Sequence, residues 1–150
     1  MEKGALVILV GVLFILYSLI NFGAAVGQFG KAKAVSSTTS MAASIGNFAG
    51  DTAGARKMQR EGTETSGVLY LIAIFILATA VLDIVAAIGL FSAQSWATAL
   101  LVTAAICGIL VEIQDTAEDG FGVGKMIFFA INALALFAAY SAKKPELTAQ

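Results

Sequence analysis

Residues 67–115 hold two long apolar runs separated by a short turn, and no other stretch restricts the fold as strongly. From 68 to 91 the chain is apolar except for Thr79 and Asp83. At about 1.5 Å rise per residue, some 24 helical residues cross a hydrocarbon core of about 30 Å. Ser92 to Ser95 turn the chain, and from Trp96 to Val111 nothing is charged, so a second crossing follows at once.

Composition extends this reading to the whole chain. Of its 150 residues 59% are hydrophobic and only 13% charged, against roughly 25% charged in an ordinary soluble domain, so a soluble fold of this size has no interior large enough for its apolar surface. The single proline agrees with long uninterrupted helices. The expected class is all-α: an integral-membrane four-helix bundle forming one polytopic domain over 1–150, with the lipid bilayer as its solvent. Helices are predicted at about 4–27, 67–91, 96–113 and 126–142, with one longer polar loop at 28–66 between the first two. A net charge of -1 leaves no electrostatic footprint for nucleic acid. The lone Cys107 lies inside a predicted crossing and cannot form an intramolecular disulfide.

The first apolar run, 4–26, is too long for the core of a signal peptide and reads as a retained helix. Asn21, near its exit, is placed to hydrogen-bond to another helix. The polar segment 28–66 is rich in Ser, Thr, Ala and Gly. Within it Met41, Ile45 and Phe48 fall at i, i+4 and i+7, the spacing of one face of a short helix over 36–48. A second short helix over 52–61 carries Arg56, Lys57 and Arg60, loop contact candidates for headgroups or an acidic protein.

Asp83 is the deepest charge. Thr79, Ala80, Ala86 and Ala87 lie three or four residues from it, so its carboxyl emerges among small side chains that let helices approach closely. Ala104 and Gly108 form a small-x-x-x-small pair on the following helix. A carboxylate at that depth costs about 2.5–3.5 kcal/mol on insertion scales, so it requires a proton, a water cavity or a partner. No Lys or Arg lies at its level, which leaves Asp83 either protonated and hydrogen-bonded within the bundle or paired with a residue of another chain. Glu112 and Asn132 complete the set of intramembrane polar residues.

The segment 114–125 gathers Asp115, Glu118 and Asp119, then Gly120, Gly122 and Gly124. It departs from a calcium loop at Ala117 and at Met126, where the bidentate glutamate belongs, and from a phosphate loop at Asp119 and Met126. It reads as a flexible acidic turn, with Lys125 in reach of Glu112. No cofactor and no metal site is expected.

Four crossings put both termini on one side. Lys3, Lys143 and Lys144 lie there, and Lys31, Lys33, Arg56, Lys57, Arg60 and Lys125 on the other, which the positive-inside rule makes cytoplasmic. The membrane is expected to be a plasma or inner membrane. Without histidine, and with acids scattered over different helices, no nucleophile and base stand at a recognisable spacing, so the chain is expected not to be an enzyme. Small residues on every crossing point to an accessory or structural subunit whose partners are other membrane subunits or a second copy. The alternative is a small proton- or ion-conducting protein using Asp83.

Overall fold

The computed structural model describes residues 3–142; the lysines at 143 and 144 and the tail 145–150 lie outside it. Four helices follow one another: α1 Lys3–Phe48, α2 Thr52–Phe91, α3 Ala97–Asp119 and α4 Val123–Ala142. All four are long and apolar enough to cross a membrane.

The polar loop expected at 28–66 is not there. α1 continues as helix to Phe48 and α2 begins at Thr52, so only residues 49–51 leave the helical state. The short helices expected at 36–48 and 52–61 are the ends of the long ones. Polarity ends a membrane crossing, but it does not end a helix; that takes Pro, a glycine cap or a lost packing partner, and 28–48 contains no proline. For the same reason α3 runs past 113 to Asp119 and α4 starts at Val123 rather than 126, which reduces the acidic turn to residues 120–122. Three residues cannot form a calcium or phosphate loop.

The reversal at 49–51 is chemically specified. Gly50 takes φ 85°, its N–H donates to the Asn47 carbonyl, and the Asp51 N–H donates to the Gly46 carbonyl, the double bond of a Schellman cap. Asp51 then caps α2, accepting the Gly54 N–H on its side chain at 2.9 Å. At the next reversal the same pair of bonds closes α2, from Ala93 N to Leu90 O and from Gln94 N to Gly89 O, but the left-handed position is Ala93 at φ 50°. An alanine there costs about 1 kcal/mol or more. Ala93→Gly is therefore expected to stabilise the protein by several tenths to about 1 kcal/mol, read as a raised Tm in detergent.

The chain packs as two compact units. The first comprises 3–21 and 78–142 of the described residues. Its core is small: Ala86, Ala87, Ala104, Ala105, Ala135, Ala138 and Ala139 surround Val10, Phe14 and Leu101. The large apolar side chains, among them Ile8, Leu16, Ile88, Ile106, Leu110 and Phe137, are exposed instead. That inversion suits helices solvated by lipid, where close backbone approach rather than apolar burial drives association.

The second unit, Phe22–Leu77, is an antiparallel helical hairpin. Along α1 its seam runs Ala25, Gln28, Ala32, Val35, Thr39, Ala43 and Gly46, and along α2 Ala55, Gly62, Ser66, Leu69, Ala73 and Ile76, all buried or half-buried. The steps are mostly threes and fours, the heptad spacing of a coiled coil, filled largely with small residues. Gly46 faces Ala55, where an added Cβ would stand 3.3 Å from the alanine Cβ; Thr39 fills the space beside Gly62, and the Phe29 and Tyr70 rings meet at 6.0 Å. Those three pairs define the antiparallel register.

Candidate functional site

The interior of the first unit contains a cluster of polar side chains supplied by all four helices. α1 contributes Tyr17, Ser18 and Asn21, α2 Thr79 and Asp83, α3 Glu112 and α4 Asn132, and every one is buried. Helical spacing explains the grouping: Tyr17 and Asn21 are one turn apart on α1, as Thr79 and Asp83 are on α2.

Tyr17 is the hub. Its hydroxyl donates to Glu112 Oε1 at 2.9 Å and lies 3.4 Å from the Gly108 carbonyl oxygen, while its ring packs against Phe128 at 5.1 Å. Asn21 and Asn132 lie near the same hydroxyl. Asn132 is 0% exposed and donates Nδ2 to the Phe128 carbonyl at 3.0 Å. The absence of a side chain at Gly108 makes room for it, since a Cβ there would stand 2.5 Å from Asn132 Oδ1.

Asp83 is 0% exposed. The Asn21 amide is the side chain that acts on it, yet neither carboxyl oxygen meets hydrogen-bond geometry, and the Asn21 Nδ2 and Asn132 Oδ1 atoms are likewise unsatisfied. Asn21 is thus a neighbour of Asp83 rather than a satisfied partner, because a hydrogen bond is defined by its distance and angle and not by proximity alone. Ala80, Ala86 and Ala87 are buried on the same helix.

The remaining expected residues lie elsewhere. Ala104 and Gly108 are buried on α3. Lys125 does not pair with Glu112: its Nζ bridges to Asp115 Oδ2 at 3.0 Å and donates to the Asp115 carbonyl at 2.6 Å, because helical continuation to Asp119 brings Asp115 opposite the start of α4. Arg56, Lys57 and Arg60 are exposed on α2 of the hairpin, with Lys57 turned toward Glu61 at 3.9 Å and Arg60 toward Glu64 at 2.9 Å. Such exposed i,i+4 pairs contribute about 0.3–0.5 kcal/mol each. Among the described residues no three His, Cys, Asp or Glu side chains stand close enough to hold a metal ion.

Tyr17 was not among the residues singled out from the sequence. Its signal was its position one turn before Asn21, an aromatic ring with a polar tip inside an apolar run.

Fold and site together define a class: an α-helical protein with four helices able to cross a membrane, a polar interior in one unit and a small-residue hairpin in the other. No family model, curated protein or solved structure matches this chain.

Proposed function

We propose that this chain is a non-catalytic multi-pass membrane protein, an accessory or structural subunit of a larger assembly or of a homo-oligomer, and that it acts through the helical hairpin. The observation that carries this reading is the continuation of α1 over 46 residues, about 69 Å, more than twice what a bilayer core takes up. A mere connector needs no close-packed seam; a contact element needs a rigid one. On the outer side of that seam Met41, Ile45 and Phe48 stay open to solvent, Phe48 at 97% exposure, an apolar face of the kind that marks protein contacts. The hairpin's basic residues support a cytoplasmic position for it at a plasma or inner membrane, with both termini opposite.

Native mass spectrometry of the protein extracted from its own membrane in mild detergent tests the reading. Co-purification with defined subunits or a defined homo-oligomer is expected, and Ile45→Ser with Phe48→Ser is expected to abolish it while leaving helical content and insertion unchanged. Recovery of monomer alone sinks the reading.

A second reading is a small proton- or cation-conducting protein. It is supported by the enclosed Asp83 carboxyl, which has no ion-pair partner among the described residues. Flux in proteoliposomes that Asp83→Asn abolishes is its expected result.

A further inference from the structure

The core of the first unit is sorted by level. On each helix the buried polar residues lie toward one end, where Ala80 and Val111 are buried beside them, and the buried side chains at the other end are apolar alone: Tyr17, Ser18 and Asn21 against Val10 and Phe14 on α1, and Thr79 and Asp83 against Ala86 and Ala87 on α2. α3 sets Glu112 against Leu101, Ala104 and Ala105, and α4 sets Asn132 against Ala135, Ala138 and Ala139. The apolar end is the one at the 92–96 turn. The polar end is the one where α3 carries Glu112 and Asp115 and α4 begins with Lys125.

We propose that Asp83 is a proton-binding site with one-sided access, open to exchange through Asn21, Tyr17 and Glu112 from the end of the unit that carries Asp115 and Lys125, and sealed at the 92–96 end by the alanine core. This rests on the second reading above and narrows it from cation or proton to proton.

Ligand chemistry favours the proton over a cation. A bound alkali or alkaline-earth ion wants roughly six oxygens, and in helical membrane proteins these come from clustered acids or from carbonyls freed by a broken helix. The described residues hold no such acid cluster, and α1 and α2 run as unbroken helix past Asn21 and Asp83, so their carbonyls are engaged. A proton needs no ligand cage. It turns one Asp83 oxygen into a donor and leaves the buried carboxyl uncharged, where no ion-pair partner stands among the described residues. The titratable groups of this interior are Tyr17 from α1 and Glu112 from α3, with Cys107 half-buried on α3, and the Asp115–Lys125 pair of α3 and α4 acts on Glu112 from the polar end. The Tyr17 to Glu112 hydrogen bond at 2.9 Å makes the first link of the path.

The test is infrared spectroscopy of the full chain in vesicles of phosphatidylcholine and phosphatidylglycerol, following the carboxylic-acid C=O band and its shift on hydrogen–deuterium exchange. A band of a protonated buried carboxyl, absent in Asp83→Asn, is expected at neutral pH. Labelling with 13C-aspartate in the unmutated chain identifies the same band if that variant does not fold, since of Asp51, Asp83 and Asp115 only Asp83 is buried. Tyr17→Phe and Glu112→Leu are expected to slow its exchange, whereas Val10→Ala and Leu101→Ala, which loosen the apolar end, are expected to leave it unchanged. Absence of the band, a band displaced by sodium, or exchange that responds to the apolar-end variants and not to Tyr17→Phe would each overturn the proposal. Flux in the same vesicles bears only on transport: an exchanging Asp83 without net flux keeps the site and removes the conducting reading.

Discussion

Gly108→Val is expected to prevent the four-helix unit from reaching its native packing. A Cβ at that position would stand 2.5 Å from Asn132 Oδ1, 2.9 Å from its Nδ2 and 3.0 Å from its Cγ, all well inside van der Waals contact. Asn132 has nowhere to go, because it is fully enclosed and its amide is tied to the Phe128 carbonyl. Tyr17 stands over the same backbone and its ring packs on Phe128 of α4, so moving α4 away also opens that ring contact. Overpacking a filled core costs about 1–3 kcal/mol for one added group, which sets the scale for Gly108→Ala and a lower bound for Val. Chemical unfolding in detergent measures it. Because the clash is with one side chain, Gly108→Ala combined with Asn132→Ala is expected to be less destabilised than the sum of the two changes. Simple additivity would show that the collision is not the cause.

The second large effect is expected in the hairpin. Ala55→Leu and Gly62→Leu together insert two bulky side chains into a seam where Gly46 and Thr39 leave room for none. Each costs about 1–3 kcal/mol by overpacking, and an exposed hairpin has little else to hold it. The pair is therefore expected to open the hairpin locally, without disturbing the polar interior of the other unit. Trypsin reports the result. Lys31, Lys33, Arg56, Lys57 and Arg60 all sit within helix, so the native hairpin is expected to resist cleavage and the double variant to be cut rapidly. A control change at an exposed position, Gln59→Leu, is expected to leave resistance intact. Rapid cleavage of the unaltered chain would show that the segment behaves as the loop its polarity first suggests.

That loop is the instructive difference between sequence and structure. Ser, Thr, Lys and Arg over 28–66 announce departure from hydrocarbon, and reading them as departure from helix confuses the solvent with the backbone. A heptad of mostly small residues from Ala25 to Gly46, answered by Ala55 to Ile76, was present to be read. It carries little hydrophobic signal because most of its seam positions are Ala, Gly, Ser and Thr rather than Leu. The reversal itself was legible: Gly50 followed by Asp51 and Thr52 is a left-handed cap next to an N-cap, and the helix ends expected at 48 and 52 are those observed.

The candidate site divides in the same way. Local spacing placed Asp83 on a face with Thr79, Ala80, Ala86 and Ala87, because periodicity along one helix needs no knowledge of the others. It could not show that Tyr17 joins Glu112 across 95 positions of chain, or that Lys125 meets Asp115 instead of Glu112. Those pairings depend on helix register and rotation, which arise from packing between helices.

Composition and period alone therefore determined that this chain makes long apolar helices able to cross a membrane, and where its acids fall along them. Apolar length and 3.6-residue spacing are properties of each helix by itself. Which polar side chains share one interior, which end of that interior is apolar, and that a polar stretch folds as a close-packed hairpin were decided only by tertiary structure. Small residues permit close approach in many registers, and the contacts between helices select one.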